Sequence, residues 1–144
     1  MTPTGNERTA PTKESLRGIK EAIEHVRAGH PLGIFPSGAV SDLSLKDRCI
    51  RDRQWQEPVI RLIKKLRVPV VPVKFMDRNS DFYYSLGLID WKVRLLRLVA
   101  EVFNKKGKPT RIAIGEIISP DQLSEFNDIK EFSDFLRNKV YNQY

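Results

Sequence analysis

The sequence predicts an α/β fold with a small, mainly parallel sheet flanked by helices. Two short, nearly continuous apolar runs, Leu32–Phe35 and Val68–Phe75, read as strands buried on both faces. Amphipathic segments alternate with them at helical spacing, the order expected of parallel strands with crossovers. The chain has 144 residues, 40% hydrophobic and 30% charged, which is enough for one core and ordinary for a globular domain.

Residues 1–12, rich in Thr, Pro and Gly, read as a loop or a severed linker, leaving residues 13–144 as a single α/β domain. A helix is expected from Lys13 to Ala28. Leu16, Ile19, Ile23 and Val26 share one face, and Gly29 stops it. Pro31 opens the first strand, Leu32–Phe35, which ends at the turn Pro36-Ser37-Gly38. Residues 39–56 are polar and irregular. A second helix spans about Gln56 to Leu66, with Val59, Ile60, Leu62, Ile63 and Leu66 apolar. The second strand, Val68–Phe75, is mostly valine and proline. The two strands are expected to be parallel neighbours joined by a right-handed crossover through that helix.

Residues 76–90 read as a loop. From Trp91 to Phe103 the pattern is amphipathic: Arg94, Arg97 and Glu101 cluster on one side, and Trp91, Leu95, Leu98, Val99 and Val102 on the other. Arg111–Ile114 is a third strand. Ser119-Pro120-Asp121 starts a short helix with Pro at its first position. Asp128 and Glu131 have capping-box spacing ahead of a final helix whose apolar residues are Ile129, Phe132, Leu136 and Val140. A complete doubly wound sheet normally has more than three strands, so either the sheet is small or strands upstream of Met1 are missing.

The single cysteine, Cys49, excludes an intrachain disulfide and a multi-cysteine metal site. Met1 to Ser15 carries no apolar signal region, and no stretch approaches the roughly 20 apolar residues of a transmembrane helix. A soluble or peripheral protein is therefore expected. The net charge is +7, concentrated in mid-chain: residues 92–111 carry seven Lys and Arg against one Glu, while residues 112–144 carry three basic against six acidic residues. Such a patch suits nucleic acid, an anionic membrane or a phosphate-bearing substrate. Nucleic acid is set aside, because there is no helix-turn-helix, zinc finger or ribonucleoprotein aromatic motif.

Several residues stand out as candidates. Lys74 and Arg78, at and just past the C-terminal end of the second strand, stand where α/β sheets place anionic ligands. Trp91, Arg94, Arg97, Lys105, Lys106 and Lys108 form a candidate membrane-contact patch on a helix lying in the interface. The alternative is a solvated basic face, with Trp91 and the leucines packed into the core. His25 and His30 read as exposed and structural, respectively.

The segment Gly33-Ile34-Phe35-Pro36-Ser37-Gly38-Ala39-Val40-Ser41 resembles the third conserved block of the glycerolipid and lysophospholipid acyltransferase superfamily, typically F-P-E-G-T-R-S. Val68-Pro69-Val70-Val71-Pro72-Val73 resembles the fourth block of the same superfamily, in the expected order. Trp55, Arg78-Asn79-Ser80, Glu101-Val102-Phe103-Asn104-Lys105 and Ile114-Gly115 are similar to the bacterial hemolysin-like subgroup, O-acyltransferases of ornithine and related amino-acid lipids. The resemblance covers about Leu16 to Leu123.

It implies a lipid-biosynthetic transferase, active in phospholipid or related lipid metabolism, that moves a fatty acyl group from acyl-CoA or acyl-ACP to a lysolipid hydroxyl. No cofactor beyond that co-substrate is implied. The implied location is cytoplasmic, peripheral on the inner face of the bacterial membrane. Phe35, Pro36, Ser37 and Gly38 become candidate acceptor-binding residues, and Arg8 a candidate remnant of the second block. The chemistry of the family belongs to an H-x4-D block, whose histidine takes the acceptor proton. Here the residue five after His25 is His30, and five after His30 is Phe35. The block is therefore absent from this chain, which is expected to be the C-terminal portion of such a domain and inactive alone. The alternative is a non-catalytic lipid-binding or partner module of the same fold. Ala39 and Val40 stand where the family has threonine and a phosphate-associated arginine, which points away from a glycerol-phosphate acceptor and toward an amino-acid lipid, or toward phosphate contacts from another basic residue. An exposed apolar sheet edge would favour self-association.

Overall fold

A computed structural model describes residues 13–45 and 49–142. The chain divides into two compact units, residues 1–34 and 35–144. The first contains helix α1, Lys13–Arg27. Its exposed side carries the i,i+4 pairs Arg17–Glu21 (2.7 Å) and Lys20–Glu24 (3.7 Å). It stops where expected: Gly29 adopts a left-handed φ of 86°, and the amides of Gly29 and His30 donate back to the carbonyls of Val26 and His25.

The second unit holds nine elements among the described residues. Strands β1 (Asp42–Ser44) and β2 (Cys49–Arg51) pair antiparallel, with Leu43 opposite Ile50. Helix α2 (Glu57–Leu66) begins after Gln56 with Pro58 in its first turn and ends at Arg67, itself left-handed at φ 52°. Strand β3 (Val73–Phe75), helices α3 (Asp81–Ile89) and α4 (Trp91–Asn104), strand β4 (Ile112–Ile114), and helices α5 (Pro120–Ser124) and α6 (Ile129–Tyr141) complete the order.

The helices of the second unit follow their caps. Ser80 accepts a hydrogen bond from the Tyr83 amide at the start of α3, and Asp90 accepts from Lys92 at the start of α4. Ser119 and Gln122 form a reciprocal capping box on α5. Asp128 accepts from both Lys130 and Glu131 at the start of α6.

The sheet differs from the expectation. It is mixed α/β, but a mainly parallel sheet is not what forms: there are two separate antiparallel pairs among the described residues, β1 with β2 and β3 with β4. The run 31–35 joins no ladder. Of the expected strand Val68–Phe75, only Val73–Phe75 pairs continuously, with Val73 opposite Ile114 and Phe75 opposite Ile112. Upstream of it, Val70 makes an isolated bridge to Ile118. The reason is chemical: Pro69 and Pro72 have no amide hydrogen, so they interrupt the ladder. The partner of β3 is thus the late strand, not the earlier run. Residues 39–56 contain a hairpin rather than an irregular segment, and residues 76–90 contain α3 rather than a loop.

The core of the second unit gathers Trp55, Ile60 and Ile63 of the α2 region, Tyr83 and Tyr84 of α3, Ile118, Leu123, and Phe132 and Leu136 of α6. Ile60 and Ile63 lie one turn apart on α2, as do Phe132 and Leu136 on α6, so each helix buries one stripe. Phe126 closes the α6 side, 4.6 Å from the Phe135 ring and 5.9 Å from Phe132. Full burial of each large side chain contributes about 1.5–3 kcal/mol.

Helix α3 packs on α4 and β1. Gly87 is small where it must be: a Cβ there would stand 2.9 Å from Cδ of Arg94. The face of α4 turned into this packing is the charged one. Arg94 is buried, bonded to Asp42 of β1 and lying 5.4 Å over the Tyr83 ring. Glu101 is also buried, accepting from the Ser80 amide (2.9 Å) and hydroxyl (2.7 Å).

Candidate functional site

The turn Phe35-Pro36-Ser37-Gly38 closes with a hydrogen bond from the Gly38 amide to the Phe35 carbonyl, 3.0 Å. Pro36 presets the second position of such a turn, and Gly38 takes a left-handed φ of 62°. Ser37 is buried, its hydroxyl donating to the Ala39 carbonyl at 2.9 Å, so it shapes the turn from within. Gln56, just ahead of α2, clips the turn in place. Its amide donates to the Pro36 carbonyl (2.9 Å) and its side chain to the Ser37 carbonyl (3.3 Å). The approach is close enough that a Cβ on Gly38 would lie 2.3 Å from Nε2 of Gln56.

Phe35 carries the turn across to β3. Its ring stacks on Phe75, centroids 6.4 Å apart and planes 30° from parallel. The valine-proline strand and the F-P-S-G turn, forty residues apart in sequence, thereby meet in one place. Directly opposed residues of an antiparallel pair share a face, so Val73, Phe75, Ile112 and Ile114 form a single apolar surface beside Phe35, and all are exposed. Lys74 points to the other face of β3. Its Nζ donates to the Tyr141 carbonyl (3.1 Å) and sits 5.9 Å from the Tyr141 ring centroid, tying β3 to α6. Lys74 is therefore not brought together with the turn.

The remaining candidates scatter. Arg78 is exposed, paired with Asp81 at 3.2 Å, and lines an open cavity of about 250 Å³ with Leu43, Cys49, Ile50 and Tyr84. A second cavity, about 410 Å³, lies between β2 and α6 and includes Arg51, Asp134, Arg137 and Tyr141. Neither contains the F-P-S-G turn. Arg97 is partly exposed, 3.8 Å from Glu101 and over the Phe82 ring. Lys105, Lys106 and Lys108 are all exposed in the turns after α4. Arg8 and the side chain of Trp91 lie outside what the structure describes. In the first unit, the His25 and His30 rings stand 4.9 Å apart, and Nε2 of His25 is 3.2 Å from the Pro31 carbonyl.

The electrostatics are local. Burial would raise the Asp42 carboxyl, but hydrogen bonds from Arg53 and Arg94 hold it below its ordinary value. Burial would likewise raise Glu101, and the Ser80 amide and hydroxyl, with Arg97, pull it down. Tyr141 is pushed up to about 12 by burial and by its hydrogen bond to Asp52. No cluster of His, Cys, Asp and Glu suited to a metal ion occurs among the described residues. None of their helices is long and apolar enough to cross a membrane.

Two features of the site lie beyond the candidates chosen from sequence. One is the apolar surface of Val73, Phe75, Ile112 and Ile114, whose signal was the period-two alternation around Lys74. The other is the clip by Gln56, for which the sequence holds no signal at all. What the arrangement offers chemically is an apolar bed beside a rigid, exposed glycine turn. That bed is apolar and exposed, and the turn beside it carries backbone groups.

Comparison with known proteins finds two similar chains, both named lyso-glycine lipid O-acyltransferase. One, from Bacteroides thetaiotaomicron, is 27% identical over 141 residues, covering 91% of this chain and 51% of the relative. The other, from Phocaeicola vulgatus, is 25% identical over 114 residues, covering 75% of this chain and 40% of the relative. The chain thus spans about half the length of the curated relatives it matches. No protein-family model matches it. No solved structure matches it.

Proposed function

We infer that this chain, related to acyltransferases through those two proteins, is part of a lipid O-acyltransferase: the part that holds the acceptor and the acyl chain. The observation that carries this reading is the stacking of Phe35 on Phe75, which joins the F-P-S-G turn and the valine-proline strand into one surface. The neighbouring apolar face suits a fatty acyl chain, for which each buried methylene contributes about 0.8 kcal/mol. Gly38 is exposed on the turn, so its backbone is open to an acceptor on the side that Gln56 does not cover.

The proposed acceptor is a lysolipid with an amino-acid headgroup, of the glycine-lipid kind named for the relatives. Ala39 and Val40 offer no guanidinium to a phosphate at this turn, which supports that choice. The proposed donor is an acyl thioester of CoA or acyl carrier protein. In the transfer the acceptor hydroxyl attacks the thioester carbonyl, a base takes the hydroxyl proton, and the thiol leaves. Neither His25 nor His30 has an aspartate five residues on, so the base is assigned to an H-x4-D block outside this sequence. The same fact favours a second reading, a lipid-binding module of the same fold without transfer activity. Either form would work peripherally at the inner face of the cytoplasmic membrane.

Calorimetric titration with lyso-glycine lipid below its critical micelle concentration tests the binding role. Saturable binding is expected. Phe35→Ala or Phe75→Ala should weaken it about tenfold, the scale of a stacked aromatic pair plus its lost area. Both residues are exposed, so the fold should survive either change. No binding, or equal binding by the variants, removes the reading.

A further inference from the structure

Helix α4 is packed inside out. Its buried side is charged: Arg94 is 4% exposed and Glu101 2%. Its outward side is apolar: Leu96 is 81% exposed and Phe103 70%, with Val99 and Val102 between them also open. A helix on a globular protein ordinarily does the reverse, turning its apolar stripe to the core. The orientation is specified rather than accidental. Arg94 is held by Asp42 of β1 and Tyr83 of α3, and Glu101 by two hydrogen bonds from Ser80 at the start of α3. Rolling α4 over to hide its leucine and valines would strip both charges of those partners and leave them buried or unpaired.

The surroundings of this apolar face are basic. Leu88 and Ile89, immediately before α4, are exposed and extend the apolar character at its start. Lys105, Lys106 and Lys108 follow its last turn, all exposed. Between residues 85 and 110 the acidic residues are Asp90, which caps α4, and the buried Glu101. At fourteen residues α4 is about 21 Å long, shorter than the roughly 30 Å hydrocarbon core of a bilayer.

We propose that the outward face of α4 docks on an anionic lipid bilayer: Leu96, Val99, Val102 and Phe103 enter the interfacial zone, and Lys105, Lys106 and Lys108 contact the headgroups. The helix lies flat, as interfacial amphipathic helices do. Apolar area combined with the exposed cluster Lys105, Lys106 and Lys108 favours a bilayer over a second protein surface, since three neighbouring lysines find their complement in the anionic headgroup layer. Arg94 and Arg97 are not membrane ligands in this arrangement. Arg94 is a structural pin, and Arg97 faces Glu101 and Phe82. The inference rests on the acyltransferase reading in one respect only, that a lipid acceptor brings the protein to a membrane.

Vesicle co-sedimentation of the full chain, with neither lysolipid nor acyl donor present, tests docking independently of acceptor binding. The probes are vesicles of phosphatidylcholine alone and of phosphatidylcholine with phosphatidylglycerol, in about 0.1 M and about 1 M salt, where the Debye length falls from about 10 Å to about 3 Å. Binding to the anionic vesicles is expected, weaker in high salt and at least tenfold weaker on neutral vesicles. Leu96→Glu should reduce it at least tenfold. Reversing Lys105, Lys106 and Lys108 to Glu should reduce it about a hundredfold, at roughly fivefold per lysine, and remove the salt dependence. Circular dichroism checks the fold of each variant, and Leu96→Gln replaces Leu96→Glu if the latter unfolds. No sedimentation, binding indifferent to both variants, or a stable dimer that Leu96→Gln dissociates and that ignores vesicles would each overturn the proposal. Failure here with lysolipid binding intact would reject the docking face alone.

Discussion

Glu101 of α4 joins the start of α3 through Ser80, accepting from its amide at 2.9 Å and its hydroxyl at 2.7 Å, while the same hydroxyl accepts from the Tyr83 amide as the helix N-cap. One carboxylate thus positions the cap of the neighbouring helix. Glu101→Ala removes a nearly fully buried charged acceptor and strands the Ser80 amide. It should lower stability by about 2–3 kcal/mol, read from denaturant unfolding. Because the Glu101 pKa in the fold lies below its ordinary 4.5, its contribution is complete above that value and is lost as pH falls through the folded pKa. The Ala variant should therefore lose less stability than wild type between neutral and strongly acidic pH.

Arg94 pins β1 to α4. Arg94→Met leaves Asp42 with Arg53 as its remaining ion-pair partner among the described residues. The expected loss is about 2–3 kcal/mol, below that of a fully buried pair because the Asp42 side chain is 35% exposed. A double-mutant cycle with Asp42→Asn should give a coupling of at least about 1 kcal/mol. A coupling near zero would mean that Arg94 is held by packing on Gly87 and Tyr83 instead.

Gly38→Ala forces a left-handed φ on an L residue and drives a methyl against the Gln56 amide. The strain alone costs about 1–2 kcal/mol. Adding Gln56→Ala relieves the clash but leaves the φ cost, so the double variant should recover only part of the melting temperature if the turn geometry is as described.

Tyr141 should ionise late. With its folded pKa at about 12 and its ordinary value at 10.0, its contribution to stability is full below pH 10 and is lost as pH rises through 12. Ultraviolet titration should show one phenol ionising near 12 that disappears in Tyr141→Phe. That variant should also flatten the alkaline loss of stability.

Acyl transfer by the chain itself should be at background with lyso-glycine lipid and either acyl-CoA or acyl-ACP. A positioned base supplies about 10²–10⁴-fold, whereas the His25 and His30 rings stand 4.9 Å apart and His25 lies against the Pro31 carbonyl. Turnover abolished by His25→Ala or His30→Ala would falsify this.

Much of the helical plan was legible. The ends of α1, α2 and α6 follow from Gly29, Pro58 and Asp128, residues whose backbone preferences act locally. Helix α3 was hidden among Asp77, Arg78, Asn79 and Ser80, although Ser80 followed by Asp81 is a helix start. The hairpin of β1 and β2 was hidden because its strands are three residues long, too short for alternation to register. Of the candidate site, the F-P-S-G turn and the valine-proline strand were legible as motifs. Their meeting was not, because it depends on a ring-to-ring contact across forty residues.

Sheet direction and the sidedness of α4 divide what sequence determines from what tertiary structure decides. Proline chemistry determined that Val68–Phe75 could ladder only in part. The choice of β4 as its partner depended on a strand nearly forty residues later, and strand pairing is a non-local choice. In the same way, the 3.6-residue period determined that Arg94 and Glu101 share one face of α4, opposite Val99 and Phe103. Which face turned inward was decided by Asp42 and Ser80, on other elements, whose bonds to the two charges outweigh the burial that the apolar face forgoes.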